Sequence, residues 1–119
     1  MSDFKTIWET YTSAWEAETA AKKYEIFKQC LAQDVVYTDP LSITQGWDEL
    51  TAYMLEFHQQ IAGGHFVTNY FLAHHNKSIA KWDMMTGDGA KIGEGVSYGQ
   101  YNAEGKLIAM TGFFETPEG

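Results

Sequence analysis

Residues 35–40 read VVYTDP, a β-branched and aromatic run that ends in an aspartate joined to a proline. Because proline disfavours the helical region for the residue before it, Asp39 is predicted at the tip of a strand running from Asp34 to Asp39. If that tip opens into an apolar cavity, the Asp39 carboxylate is placed to take part in proton transfer. The alternative is an Asp-Pro turn with a solvated side chain.

The composition describes one globular domain, residues 1–119, that is rich in aromatic rings. Apolar residues make up 45% of the chain and aromatic residues 15%. Rings in that number predict an enclosed apolar space. The formal net charge is -8, and no basic stripe is present that could neutralise phosphates. We therefore expect no nucleic-acid partner.

The sequence also predicts where the protein resides. Its single cysteine, Cys30, cannot form an intramolecular disulfide, and residues 1–5 lack the basic start of an export signal. No apolar stretch approaches the roughly 20 residues that a membrane span requires. We expect a cytoplasmic protein with no membrane partner and no cofactor.

The first half of the chain has the apolar spacing of helices. A first helix beginning near Ser2 or Asp3 would carry the following rings and apolar side chains on one face: Phe4, Ile7, Trp8, Tyr11 and Trp15. A second helix is predicted from about Ala20 to Ala32. A third follows Gly46 and Asp48 and stops at Gly63-Gly64.

The second half has the spacing of strands. Turn signals split it into four segments, at about 66–74, 78–86, 91–101 and 106–115. Helices followed by an antiparallel meander predict an α+β fold with helices packed on one sheet face.

One predicted strand has an unusual row of small residues. Gly93, Gly95, Ser97 and Gly99 alternate along it and so share one sheet face. Two explanations remain open: the row leaves room for a ligand, or the strand simply curves. The same face would carry Ala80, Trp82 and Met84 on one neighbour, and Met110, Gly112 and Phe114 on the other. These positions are typical of core as well as of a binding cavity.

The order of these features resembles the nuclear transport factor 2-like superfamily, in particular its SnoaL-like branch. The residues that carry the resemblance are Tyr11 and Trp15, Tyr37-Thr38-Asp39-Pro40, Gly46-Trp47, His74-His75, and Thr111-Gly112-Phe113-Phe114. The resemblance implies a cone-shaped α+β barrel, in which a curved, mostly antiparallel sheet surrounds a pocket and three N-terminal helices close it.

Ketosteroid isomerases of this superfamily resemble the chain residue by residue at the site. Their catalytic base, the aspartate of a strand-ending Asp-Pro, corresponds to Asp39. Their oxyanion-hole tyrosine corresponds to Tyr11 in Tyr11-Thr12-Ser13-Ala14. Their second oxyanion donor is a protonated aspartate, but Ser97 stands at that position here and is a weaker donor. The related SnoaL-like polyketide cyclases also use a carboxylate to deprotonate a carbon beside a carbonyl.

The four histidines do not form a metal-binding pattern. His58, His65, His74 and His75 match no ligand spacing, such as two histidines four apart with an acid between them. We expect no metal.

Together these observations predict a small pocket protein that binds a small, largely apolar, carbonyl-bearing molecule. As an isomerase or cyclase, it would use Asp39 to abstract a proton beside the carbonyl and Tyr11 to donate to the enolate oxygen. The alternative is a non-catalytic ligand-binding or dimerising association module on the same fold. The expected pocket residues are Trp15, Tyr53, Phe57, Trp82, Met84, Ser97, Met110 and Phe114.

The outer sheet face is expected to be apolar as well. It would carry Ile79, Met85, Ile92, Val96, Tyr98 and Phe113. That is too much apolar surface to leave in water, so the sequence predicts a two-fold homodimer packed sheet to sheet.

Overall fold

The computed structural model of the protein describes residues 3–115, and in it three helices pack against one sheet of six strands. The helices are α1 (Phe4–Ser13), α2 (Ala20–Cys30) and α3 (Gly46–Gln60). The strands are β1 (Leu31–Asp39), β2 (Ser42–Gln45), β3 (His65–His74), β4 (Lys77–Met85), β5 (Lys91–Tyr101) and β6 (Leu107–Phe113). Within residues 3–115, no helix is both long and apolar enough to cross a membrane.

Helix α1 begins just after Asp3, whose side chain caps it by accepting a hydrogen bond from the Thr6 backbone N–H at 3.2 Å. Such a cap satisfies a donor that a helix start otherwise leaves free. Ser2, the other predicted start, lies outside the described residues. The helix ends at Ser13, so Trp15 lies in the turn that follows and not on the helix itself.

The other helix ends also differ from the predictions. The predicted helix from Ala20 to Ala32 is two residues too long, because β1 already begins at Leu31. Gly46 adopts a φ of 83°, a left-handed conformation that glycine tolerates, and α3 starts there. The short strand β2 that precedes α3 was not predicted.

The strands lie in the order β2-β1-β6-β5-β4-β3. Every neighbouring pair is antiparallel except β1 and β6, which are parallel. Register shifts interrupt four of these five pairs, and such bulges bend a sheet. The predicted meander is confirmed, with each strand end within two residues of its predicted position.

The predicted fold class is therefore confirmed: α+β, with three helices on one face of a curved, mostly antiparallel sheet. The sheet stays open, because its edge strands β2 and β3 do not pair with each other within residues 3–115. The helices pack on the inner face around Trp8, Phe27, Leu50 and Met54. Cys30 is fully buried in the same core, and burial raises the pKa of its thiol to about 12.

Candidate functional site

Strand β1 places Asp39 at its last position, on the inner face of the sheet. Val35, Tyr37 and Asp39 alternate along the strand, so all three side chains point inward and are buried. Asp39 is 9% exposed. One of its oxygens, Oδ1, accepts hydrogen bonds from the backbone N–H groups of Leu41 at 2.8 Å and Ser42 at 3.0 Å. Asp39 thus holds the Asp-Pro turn that the sequence offered as an alternative. Its side chain, however, is buried and not solvated as that alternative expected.

The other carboxylate oxygen of Asp39 faces two phenols. Its Oδ2 accepts hydrogen bonds from the Tyr37 hydroxyl at 2.6 Å and the Tyr53 hydroxyl at 2.8 Å. Burial is the main reason that the pKa of Tyr37 and the pKa of Tyr53 lie above the ordinary value, so both phenols keep their protons at neutral pH. With the two backbone donors, four hydrogen bonds from the chain reach the two carboxyl oxygens of Asp39.

Tyr11 lies on α1 and is 3% exposed. Its hydroxyl oxygen accepts a hydrogen bond from Trp15 Nε1 at 3.0 Å. Burial raises the pKa of Tyr11 well above the usual range, which keeps the hydroxyl neutral. Within residues 3–115 that hydroxyl has no acceptor for its own proton, and no hydrogen bond joins it to Asp39. Tyr11 therefore holds an unused donor beside the cavity.

A cavity of about 340 Å³ lies between the helices and the inner sheet face. Asp39 and Tyr11 both border it. Its wall is mostly aromatic, and the rings that border it are Trp8, Tyr11, Trp15, Tyr37, Tyr53, Phe57, Phe66, Trp82 and Phe114. The turn residue Trp15 packs edge-on against Tyr53, Phe57 and Phe66, with ring centroids 5.3 to 6.1 Å apart. A space of this size and lining suits a small, largely apolar molecule.

Most of the expected pocket residues border this cavity: Trp15, Tyr53, Phe57, Trp82, Met84, Ser97 and Phe114. Met110 is a correction, because it is 1% exposed, packs in the core and does not border the cavity. Ser97 does border it, but its hydroxyl oxygen accepts a hydrogen bond from Trp82 Nε1 at 2.9 Å. Ser97 is thereby tied to Trp82.

Several residues of the site were not predicted, above all Tyr37. A signal for Tyr37 was present, since it lies two positions before Asp39 and so on the same face of a strand. Trp8 and Phe66 also border the cavity and were not predicted as pocket residues.

The glycines of β5 do not leave open space for a ligand in this cavity. A Cβ atom on Gly95 would lie 2.5 Å from Trp82 Cζ2, and one on Gly93 would lie 3.1 Å from the end of Met84. The side chains of the neighbouring strand β4 fill the room that the glycines leave. Of the predicted row, Ser97 borders the cavity while Gly93, Gly95 and Gly99 do not.

The histidines lie away from the cavity. His74 ends β3 and His75 lies in the following turn, where their Nδ1 atoms are 3.0 Å apart. His58 Nε2 lies 3.1 Å from the Nζ of Lys23, a fully buried lysine on α2. Within residues 3–115, no three side chains of the metal-binding types come together.

The family match decides what kind of protein this is. The profile of the SnoaL-like domain matches residues 8–114, which is nearly the whole chain. The chain belongs to the SnoaL-like domain family. In this SnoaL-like chain, every residue that borders the cavity lies within the matched range. A comparison with curated proteins gave no match.

Solved structures of similar shape agree with this membership. A protein from Agrobacterium tumefaciens str. C58, described as a candidate isomerase of the SnoaL-like family, is 27% identical with a TM-score of 0.84, over 93% of this chain and 96% of that chain. A candidate polyketide cyclase from Sinorhizobium meliloti is 11% identical with a TM-score of 0.71, over 90% of this chain and 93% of that one. A protein of cystatin-like fold from Nostoc punctiforme is 13% identical with a TM-score of 0.75, over 95% and 89%. The last two show a shared fold alone.

Proposed function

We propose that this SnoaL-like chain is a cytoplasmic enzyme that abstracts a proton beside the carbonyl of a small, largely apolar molecule, as an isomerase or a cyclase does. The observation that carries the proposal is a buried carboxylate, Asp39, that shares a ring-lined cavity with a phenol, Tyr11, whose proton is unused. The similarity to a candidate isomerase of the same family supports it.

In this reaction, Asp39 Oδ2 takes a proton from the carbon next to the carbonyl, and the electron pair of that C–H bond moves to form the enolate. The Tyr11 hydroxyl donates a hydrogen bond to the enolate oxygen as its charge develops. Tyr37 and Tyr53 hold the carboxylate in place, and one of their hydrogen bonds must lengthen as Asp39 becomes protonated. Asp39 then returns the proton to the same carbon or to a conjugated one.

The test is hydrogen–deuterium exchange beside the carbonyl, followed by NMR on a panel of apolar ketones and esters. We expect Asp39→Asn to abolish exchange nearly completely and Tyr11→Phe to slow it by about 10² to 10³, typical of losing one oxyanion donor. The matched controls are Asp34→Asn, on an exposed position of the same strand, and Tyr70→Phe, on the outer sheet face. If Asp39→Asn and Tyr11→Phe exchange a ligand as fast as the parent, Asp39 is a turn cap and the chemistry lies elsewhere.

A non-catalytic binding module is the second candidate, and one observation favours it. All four hydrogen bonds on Asp39 come from groups of the chain itself, so both of its carboxyl oxygens already have partners within the protein. In that case ketones bind and raise the melting temperature, but no exchange follows. If no ketone binds either, dimerising association is the remaining role of the fold.

We also propose that two copies form a two-fold dimer through the outer sheet face. Three of its large apolar side chains are well exposed: Ile79 at 41%, Ile92 at 47% and Phe113 at 60%. They belong to β4, β5 and β6, and Phe113 lies opposite Val96 on the adjacent strand, so the apolar surface runs across the sheet. A face of this kind can pair with its own copy about a two-fold axis.

Sedimentation velocity at micromolar concentration tests the dimer. We expect a dimer for the parent chain and a monomer for Phe113→Glu, because a carboxylate in the centre of an apolar interface is costly to desolvate. A clean monomer for the parent chain contradicts this proposal without affecting the one for the cavity.

A further inference from the structure

A second residue at the cavity wall has an unused hydrogen-bond donor, the indole N–H of Trp8. Trp8 is 2% exposed and borders the cavity. Within residues 3–115, its Nε1 has no hydrogen-bond partner. Buried donors are almost always paired, so an unpaired one at the wall of a cavity requires an explanation.

Trp8 is placed beside the other unused donor. Trp8 and Tyr11 are three residues apart on α1, so they lie on the same helix face, and their ring centroids are 5.1 Å apart. The Tyr11 hydroxyl is already an acceptor for Trp15, which leaves its proton to point elsewhere. One helix thus places two residues with unused donors at the wall of the same cavity, and neither donor has an acceptor in the described part of the chain.

Three other donors that border the cavity are already used. Those of Tyr37 and Tyr53 are bonded to Asp39, and the indole N–H of Trp82 is bonded to Ser97. Ser97 lies where the resemblance to ketosteroid isomerases places a second oxyanion donor. Its hydroxyl oxygen accepts from Trp82, so within residues 3–115 its own proton, like that of Tyr11, has no acceptor. An aliphatic hydroxyl is a weaker hydrogen-bond donor than a protonated carboxyl or a phenol, so Ser97 is the weaker alternative.

We infer that Trp8 Nε1 and Tyr11 Oη together bind the carbonyl oxygen of the ligand, with Trp8 as the second oxyanion donor. The inference rests on the proposed function, since it assigns a further residue of the same site. No bond is made or broken at Trp8: its N–H donates to the carbonyl and donates more strongly as negative charge builds on the oxygen.

The first test uses the parent protein and its indole N–H signals. Trp8, Trp15, Trp47 and Trp82 each give one signal in a ¹⁵N-edited NMR spectrum, and single Trp→Phe variants assign them. The probe is 2-acetylnaphthalene, and its control is 2-isopropenylnaphthalene, which has the same shape but a CH₂ group in place of the carbonyl oxygen. We expect the ketone to move the Trp8 signal downfield and the alkene not to do so. Trp47, which donates to the Ala32 carbonyl at 2.9 Å and does not border the cavity, is the internal reference.

The second test compares variants. Trp8→Phe removes the free N–H, whereas Trp82→Phe removes a similar ring area from the same cavity but an N–H that is already bonded. We expect Trp8→Phe to lower kcat for exchange by about 10², with a smaller change in KM, because the donor acts mainly on developing charge. The carbonyl stretching frequency of bound ketone should rise in Trp8→Phe and stay unchanged in Trp82→Phe.

The outcomes separate the inference from the function on which it rests. If ketones bind and exchange but the Trp8 signal stays in place, Trp8 is not a donor to the ligand and the inference is wrong, while the proposed function stands. If no ketone of the panel binds, the proposed function fails and the inference fails with it. Should Trp8→Phe not fold, the signals of the parent protein still decide the question.

Discussion

Replacing Lys23 by methionine should change how the stability of the protein depends on pH. Lys23 is fully buried on α2. Its Nζ donates to the Ala14 carbonyl at 2.7 Å and lies 3.1 Å from His58 Nε2, so it joins the turn that carries Trp15 to α3. Burial lowers the pKa of Lys23 from 10.5 to about 8.

The size and sign of the effect follow from proton binding. Between pH 8 and pH 10.5, the unfolded chain holds a proton on Lys23 that the folded chain has lost. The contribution of Lys23 to the free energy of unfolding therefore rises with pH across this window, by about 3 kcal/mol in total. Burial, and then the Lys23 charge, also lower the pKa of His58 below 6.5, so the stability falls further as the pH drops through that range.

Urea unfolding of the parent chain and of Lys23→Met, repeated from about pH 7 to about pH 10, measures the effect. Buried Cys30 and Tyr101, whose pKa values are each raised to about 12, act in the opposite direction at high pH. Because they titrate in both proteins, their contribution cancels in the difference. We expect the free energy of unfolding of the parent chain to increase relative to that of Lys23→Met as the pH rises.

The control is Lys22→Met, at the exposed position next to Lys23. The free energy of unfolding of Lys22→Met should differ from that of the parent by an amount that does not change with pH. A flat difference for Lys23→Met as well would refute the reasoning, because it would mean that the Lys23 ammonium keeps its hydration in the folded chain.

Three further predictions concern the cavity and the packing around it. Gly95→Leu should lower the free energy of unfolding in urea by at least about 2 kcal/mol, because a Cβ at this position would lie 2.5 Å from Trp82. An unchanged midpoint of urea unfolding would contradict this packing. Tyr53→Phe removes one of the two phenol donors to Asp39 and should cost about 2 kcal/mol in the same assay; no loss would mean that the 2.8 Å hydrogen bond contributes nothing. A ligand that carries a carboxylate should bind at least about tenfold more weakly than its methyl ester in calorimetry. Two acidic side chains, Asp39 and Glu56, border the cavity and would repel the carboxylate. Equal affinity of the two ligands would refute this repulsion.

Most of the fold could be predicted because its elements carry strong local patterns. The strands β3 to β6 are separated by glycine and asparagine turns, and α1 and α3 repeat their apolar residues at helical spacing. The strand β2 could not be found in this way. Its four residues are too few for a period, and it exists because Asp39 holds the turn that precedes it and because β1 offers a partner.

The site was less predictable, since it depends on which side chains fill which spaces. The glycines of β5 correctly indicated small side chains on the inner face, but only the three-dimensional packing shows that Trp82 occupies the room. The partners of Asp39 show the same limit. Tyr37 is local to it, whereas Tyr53 comes from α3 and is brought close by the packing of that helix on the sheet.

The parallel pairing of β1 with β6 sets the order in which the site can be assembled on the ribosome. Tyr37 pairs with Met110, and Thr38 pairs with Thr111. The strand that carries Asp39, β1, therefore lies between β2 and β6, and β6 is the last strand of the sheet to be synthesised. A ribosome adds roughly 5–20 residues per second in chain order. Until residue 113 has been made, β1 has only β2 beside it and keeps one edge unpaired. The nascent chain therefore carries an open strand edge through most of its synthesis, and chaperones that shield such edges have their longest opportunity at β1.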